Sequence, residues 1–135
     1  MARVQSLESS KGSIRSYRDL IAWQKSMDLM LAVYRATESF PKHETYGLTQ
    51  QLRRCVVSVP SNIAEGSSRR STQEFLRFLN ISCGSLAEAE TQVTAARMLD
   101  YIDETAEKSL LDQAGEVSRI LHGLYQSLQE KSSTH

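Results

Sequence analysis

The chain has 135 residues, of which 40% are hydrophobic and 24% charged, with only six glycines and two prolines. That suits one compact helical domain and excludes a disordered or fibrous chain, and no run approaches the roughly 18 apolar residues of a membrane span. Sixteen cations balance sixteen anions, yet they are unevenly placed. Between Pro41 and Cys83, Lys42, Arg53, Arg54, Arg69, Arg70 and Arg77 outnumber Glu44, Glu65 and Glu74. From Gly84 to Glu116 the acids outnumber Arg97 and Lys108. Such asymmetry marks either a polyanion site or surfaces that pair within a fold or between subunits.

Residues 1–16 lack the apolar stretch of a secretory signal and read as a flexible lead-in to a cytoplasmic protein. The bundle proper is expected over 17–130 and a flexible tail over 131–135. In the first helix Leu20, Trp23, Met27, Met30 and Tyr34 recur at helical spacing, predicting the inward face. Ser16 with Asp19 resembles a capping pair, and Phe40-Pro41 closes the segment. Leu48, Leu52, Cys55, Val59 and Ile63 make the stripe of a second helix, with Gly66 as its stop.

Inside that helix stands Pro60, which has no N–H and collides with the carbonyl one turn back, predicting a kink or break near Val56. Ser58, Ser61 and Asn62 supply polar groups for freed backbone atoms. Ser71-Thr72-Gln73-Glu74 is a capping box for a third helix, with Phe75, Leu79, Ser82, Leu86, Ala89, Val93 and Ala96 as its stripe. It should run about 30 residues, near 45 Å. Its small-residue patch, Ser82, Gly84 and Ser85 among them, suits either a close approach within the bundle or a contact between subunits. Asp103, Glu104 and Glu107 mark the start of a fourth helix, whose stripe is Leu110, Ala114, Val117, Leu121, Leu124 and Leu128.

Four amphipathic helices on short connections predict an all-α fold, an antiparallel up-down-up-down four-helix bundle with a kinked second helix. No catalytic, metal or cofactor site is expected: the Glu-x-x-His pairs of a bundle di-metal centre are absent, as are H-E-x-x-H, P-loop and G-x-S-x-G patterns. Cys55 and Cys83 stand singly and read as reduced apolar fillers.

The segments "DLIAWQKS", "VYRATESFP" and "YGLTQQLRRCVVSVPSNIAEGSSRRSTQEFLRFLNISCGSLAEAETQ" closely resemble the four-helix-bundle proteins encoded in intervening sequences of bacterial 23S ribosomal RNA genes. The resemblance covers roughly Tyr17 to Tyr125, and its most specific stretch holds Ser58, Pro60, Asn62, Glu65 and Gly66. It implies a homopentamer, similar to the accessory protein of diversity-generating retroelements, which binds nucleic acid and a reverse transcriptase. Those retroelement proteins are strongly basic, whereas this chain is neutral.

The expected function is a non-enzymatic, homo-oligomeric scaffold that binds RNA through Lys42, Arg53, Arg54, Arg69, Arg70 and Arg77, because guanidinium forks match phosphate oxygens. The alternative is a protein–protein scaffold without nucleic acid, its arginines paired with acids across a subunit boundary.

Overall fold

The computed structural model describes residues 16–133. Four helices follow one another: α1 Ile21–Thr37, α2 Leu48–Ser67, α3 Thr72–Met98 and α4 Glu104–Ser133, with short 3-10 turns at Tyr17–Asp19 and Lys42–Glu44. No helix among the described residues is long and apolar enough to cross a membrane.

The helix starts are set by short polar side chains. Ser71 Oγ accepts from the Glu74 amide at 3.1 Å and opens α3, as the sequence predicts. The Glu74 carboxylate, however, turns to Arg77 instead of reaching back. Asp103 Oδ1 accepts from the Ala106 amide at 2.8 Å and opens α4. Ser16 does cap, but what it caps is the 3-10 turn, through the Arg18 amide; α1 itself begins after the extended residue Leu20. At the far end of α3 the Tyr101 amide bonds the Ala96 carbonyl at 2.8 Å. That closure holds Asp100 at a φ of 64°, the left-handed position glycine usually occupies.

The helices pack in a ring, each against its neighbours in sequence, with α4 closing on α1. Antiparallel order is visible in the pairs that meet: Gln51 with Gln92, Cys55 with Glu88 and Ser58 with Ser85. Each step forward along α2 is an equal step back along α3. Leu52, Val56, Val59 and Ile63 of α2 meet Leu79, Leu86, Ala89, Val93 and Ala96 of α3 in one core, with Leu110, Ala114, Val117, Leu121 and Leu124 of α4. Lys25 with Glu116 (3.6 Å) and Arg97 with Glu107 (3.2 Å) bridge α1 to α4 and α3 to α4 on the outside.

The first helix turns a different face inward from the one its large apolar residues suggest. Ala22, Ser26, Leu29, Val33 and Thr37 are its buried residues, while Trp23, Met30 and Tyr34 lie half-buried on the flank. Small side chains let the backbones approach, and the two hydroxyls this buries are satisfied by their own helix: Ser26 Oγ donates to the Trp23 carbonyl and Thr37 Oγ1 to the Val33 carbonyl, both at 2.8 Å.

Helix α2 runs from Leu48 to Ser67 with Pro60 inside it, so the proline does not break it. The expected stop is revised: Gly66 is a buried residue within the helix. A Cβ added at Gly66 would fall 2.7 Å from Phe78 Cβ and 3.0 Å from Phe75 Cδ1. The missing side chain is what lets the start of α3 fold back against the end of α2. Helix α3 has 27 residues, slightly short of the expected length, because the Asp100 turn ends it. Helix α4 continues past residue 130 to Ser133.

Gly66→Ala should therefore destabilise the fold by about 1–3 kcal/mol through overpacking, although alanine is intrinsically the better helix former; urea unfolding of the two proteins measures the difference. Asp100→Gly should do the reverse. It relieves the left-handed backbone and removes a negative charge from a helix C-terminus, for a gain of about 0.5–1 kcal/mol, read as a raised Tm.

Candidate nucleic-acid interface

The six basic residues singled out in the sequence do not form one patch. Arg53 and Arg54 lie on the first half of α2 and Arg69 just beyond its end; sixteen residues at 1.5 Å each separate Arg53 from Arg69 by roughly 24 Å. Lys42 belongs to the α1–α2 connection, at the same end of the bundle as Arg53.

Arg53 is already engaged. Its Nε donates to Thr37 Oγ1 at 2.8 Å, its Nη2 donates to the Tyr34 carbonyl at 3.2 Å, and its guanidinium lies 4.5 Å from the Tyr34 ring centroid. It fastens α2 to the end of α1 and is thereby removed from the phosphate-binding set. Arg54 keeps an exposed position on the outer ridge of α2.

At Lys42 the neighbouring Glu44 carries the organisation. Glu44 Oε1 accepts from the Leu48 amide at 2.8 Å, at the start of α2, and Oε2 accepts from the Tyr101 hydroxyl at 2.8 Å. Those two donors hold its carboxyl below the usual glutamate range, and the carboxylate in turn holds the Tyr101 hydroxyl above the usual phenol range. Tyr101 also packs against Phe40 and His43, so one side chain joins the α1–α2 and α3–α4 connections.

The other end is where cations converge. The Arg69 guanidinium sits 4.9 Å and the Arg77 guanidinium 4.6 Å from the Phe78 ring centroid, with exposed Arg70 on the turn between α2 and α3. Each ring contact orients an arginine by cation–π attraction. Arg69 pairs with Glu65, and Arg77 with Glu74 at 3.2 Å. Both pairs are about half exposed, so they are worth only a few tenths of a kcal/mol and can be exchanged for a phosphate. The Glu65–Arg69 pair exists because α2 persists past Gly66.

The Pro60 region builds structure inside the chain. Asn62 Nδ2 donates to the Ser58 carbonyl (2.8 Å) and Oγ (3.0 Å), Ser58 Oγ meets Ser85 Oγ at 2.8 Å, and Ser82 Oγ donates to the Val59 carbonyl at 2.8 Å. Ser82 is fully buried and half-buried Ser85 bonds to α2, so both hydroxyls serve the close approach within the bundle that the small-residue patch allowed. Gly84 faces outward, with open space beyond its Cα. Cys55 and Cys83 are free thiols; burial raises both, and Glu88 raises Cys55 further, which favours the protonated form over the reactive thiolate.

On the outer side of α1 and α2, Trp23, Met27, Met30, Val57, Pro60 and Ala64 line a shallow apolar groove of about 310 Å³. The sequence signal for it was the stripe of large apolar residues in α1, read there as core.

These features define a class: an antiparallel four-helix bundle whose polar interior bonds are structural and whose distinctive chemistry lies on its outer surface. The chain belongs to the 23S rRNA-intervening sequence protein family, whose profile matches residues 18–123. It is similar in fold to the crystal structure of a protein of unknown function from the S23 ribosomal protein family of Bacteroides thetaiotaomicron VPI-5482, with a TM-score of 0.72 at 19% identity over 78% of this chain and 96% of that one. No curated protein matches the chain.

The Glu44 arrangement has a signature in acid. Its folded pKa lies below the unfolded value, so its contribution is present above about pH 4.5 and is lost as pH falls through the lowered folded value. Tyr101→Phe removes one of the two donors. The variant should melt below the wild type at neutral pH, and the gap should close as pH falls below 4.5, as thermal melts across pH would record.

Proposed function

We propose that the protein is a non-catalytic, self-associating helical-bundle scaffold of the cytoplasm that binds RNA, with Arg69, Arg70 and Arg77 at the α2–α3 turn as its phosphate-binding group. The observation that carries this reading is the gathering of two guanidinium groups on the one Phe78 ring. An arginine stacked on an aromatic face loses less freedom when it takes a phosphate than one waving in solvent. The start of α3 lies beside them, adding the positive end of a helix dipole. Overall neutrality does not oppose a local cluster, because charges beyond about 8–10 Å are screened at physiological salt. Assembly into a homopentamer would repeat the cluster around a ring and raise its effective affinity. Support for association comes from the apolar strip outside α1 and α2, where Leu31 and Val57 are also exposed.

That same strip favours a second reading, a scaffold for protein partners alone. The two separate in one titration. Binding of a labelled RNA, followed by anisotropy across a salt series, should weaken steeply with salt for the wild type. Changing Arg69, Arg70 and Arg77 together to Ala should lower the slope of log affinity against log salt by about 2 for single-stranded RNA. Arg53→Ala should instead cost stability and leave the slope alone. Light scattering on each variant checks that the assembly is intact. RNA binding unchanged by the triple substitution would sink the assignment of the site, and no binding at any salt would leave the protein-partner reading.

A further inference from the structure

Beside the arginine cluster, on the face between α3 and α4, lies an open groove of about 590 Å³. Gln73, Arg77 and Asn80 line one wall at spacings of four and three, which puts them in a row on α3. Tyr125 and Gln129, four apart on α4, line the other, and Leu76 forms an apolar floor. The side chains of Gln73, Asn80, Tyr125 and Gln129 make no hydrogen bond to any described residue. Three amides and a phenol thus line one groove with no protein partner, beside Glu74, whose carboxylate is paired with Arg77.

We infer that this groove receives an unpaired base of a single-stranded nucleic acid whose backbone is held by the adjacent arginines. The inference rests on the RNA-binding reading and narrows it to a ligand class. A carboxamide offers a donor and an acceptor side by side, the pattern that pairs with the edge of a base. Tyr125 adds an aromatic face, and every base has a complementary one. Arg77 belongs to both features, stacked on Phe78 and lining the groove, so a phosphate taken by Arg77 brings the attached nucleoside to the groove's rim. Phe78, by contrast, is buried under the two guanidiniums and is not the stacking platform. A duplex keeps its base edges paired and inward, so the groove discriminates against it.

The test measures binding of the full-length protein to three labelled strands of about 12 nucleotides: a single-stranded RNA of mixed sequence, its duplex, and an abasic ribose-phosphate strand of equal length. The wild type is expected to favour the base-bearing single strand over the abasic one by about tenfold or more. Gln73→Ala, Asn80→Ala and Gln129→Ala, combined, should abolish that preference while leaving abasic-strand affinity and the salt slope as they were. These three residues are exposed, and a circular dichroism melt confirms that the variant folds. Equal binding of the base-bearing and abasic strands, tighter binding of the duplex, or a preference that survives the triple substitution each overturns the base-binding groove while leaving the arginine site standing. Failure to bind any of the three strands overturns both.

Discussion

Where α2 meets α3, serine hydroxyls from both helices sit in the seam, Ser58 against Ser85 and Ser82 on the Val59 carbonyl, and the two backbones come close. Ser58, Ser82 and Ser85 are small enough to permit the approach and polar enough to use it, and Gly66 extends it to the end of the seam. Everything else is placed from there. The turn after Gly66 is tight because Phe75 and Phe78 fit against a residue with no side chain. Phe78 then sits where arginines from both sides of the turn can cover it. The cations are thus consequences of packing as much as of composition.

The bundle consequently has two unlike ends and two unlike faces. At one end Arg53, Thr37, Tyr34, Glu44 and Tyr101 tie connections to helices, and cationic and acidic groups are largely spent on holding the fold. At the other, Arg69 and Arg77 are restrained by weaker, exposed contacts that a ligand can replace, with exposed Arg70 between them in sequence. Between α1 and α2 the surface carries an apolar groove; between α3 and α4, on the opposite side of the ring, it carries one lined by amides. A net charge of zero conceals all of this, because neutrality is a sum over the whole chain.

Much of the fold was legible in the sequence. Helices α3 and α4 declare themselves through long stripes and capped starts, at Ser71 and Asp103, since their inward positions are both apolar and regular. What was hidden follows from size rather than polarity. The inward face of α1 is built on Ala22, Ser26 and Thr37, which no hydrophobic pattern selects, while Trp23, Met27 and Met30 attract attention and stand aside. Gly66 reads as a terminator until Phe78, twelve positions on, is seen against it. Arg53 reads as a free cation until its partners on another helix are known. The amide groove escaped notice altogether, since Gln73, Asn80 and Gln129 look like ordinary solvent-facing residues until two helices bring them together.

Trp23 is the chain's one tryptophan, and it stands on the rim of the apolar groove beside Tyr17 and under Arg18. Its indole emission therefore samples a single face of the molecule. Anything that covers α1 and α2 changes the polarity around that fluorophore, whereas an event on the far side, between α3 and α4, leaves it untouched. The protein carries a native optical label for one of its two surfaces, and silence from that label during binding is itself information about where the partner sits.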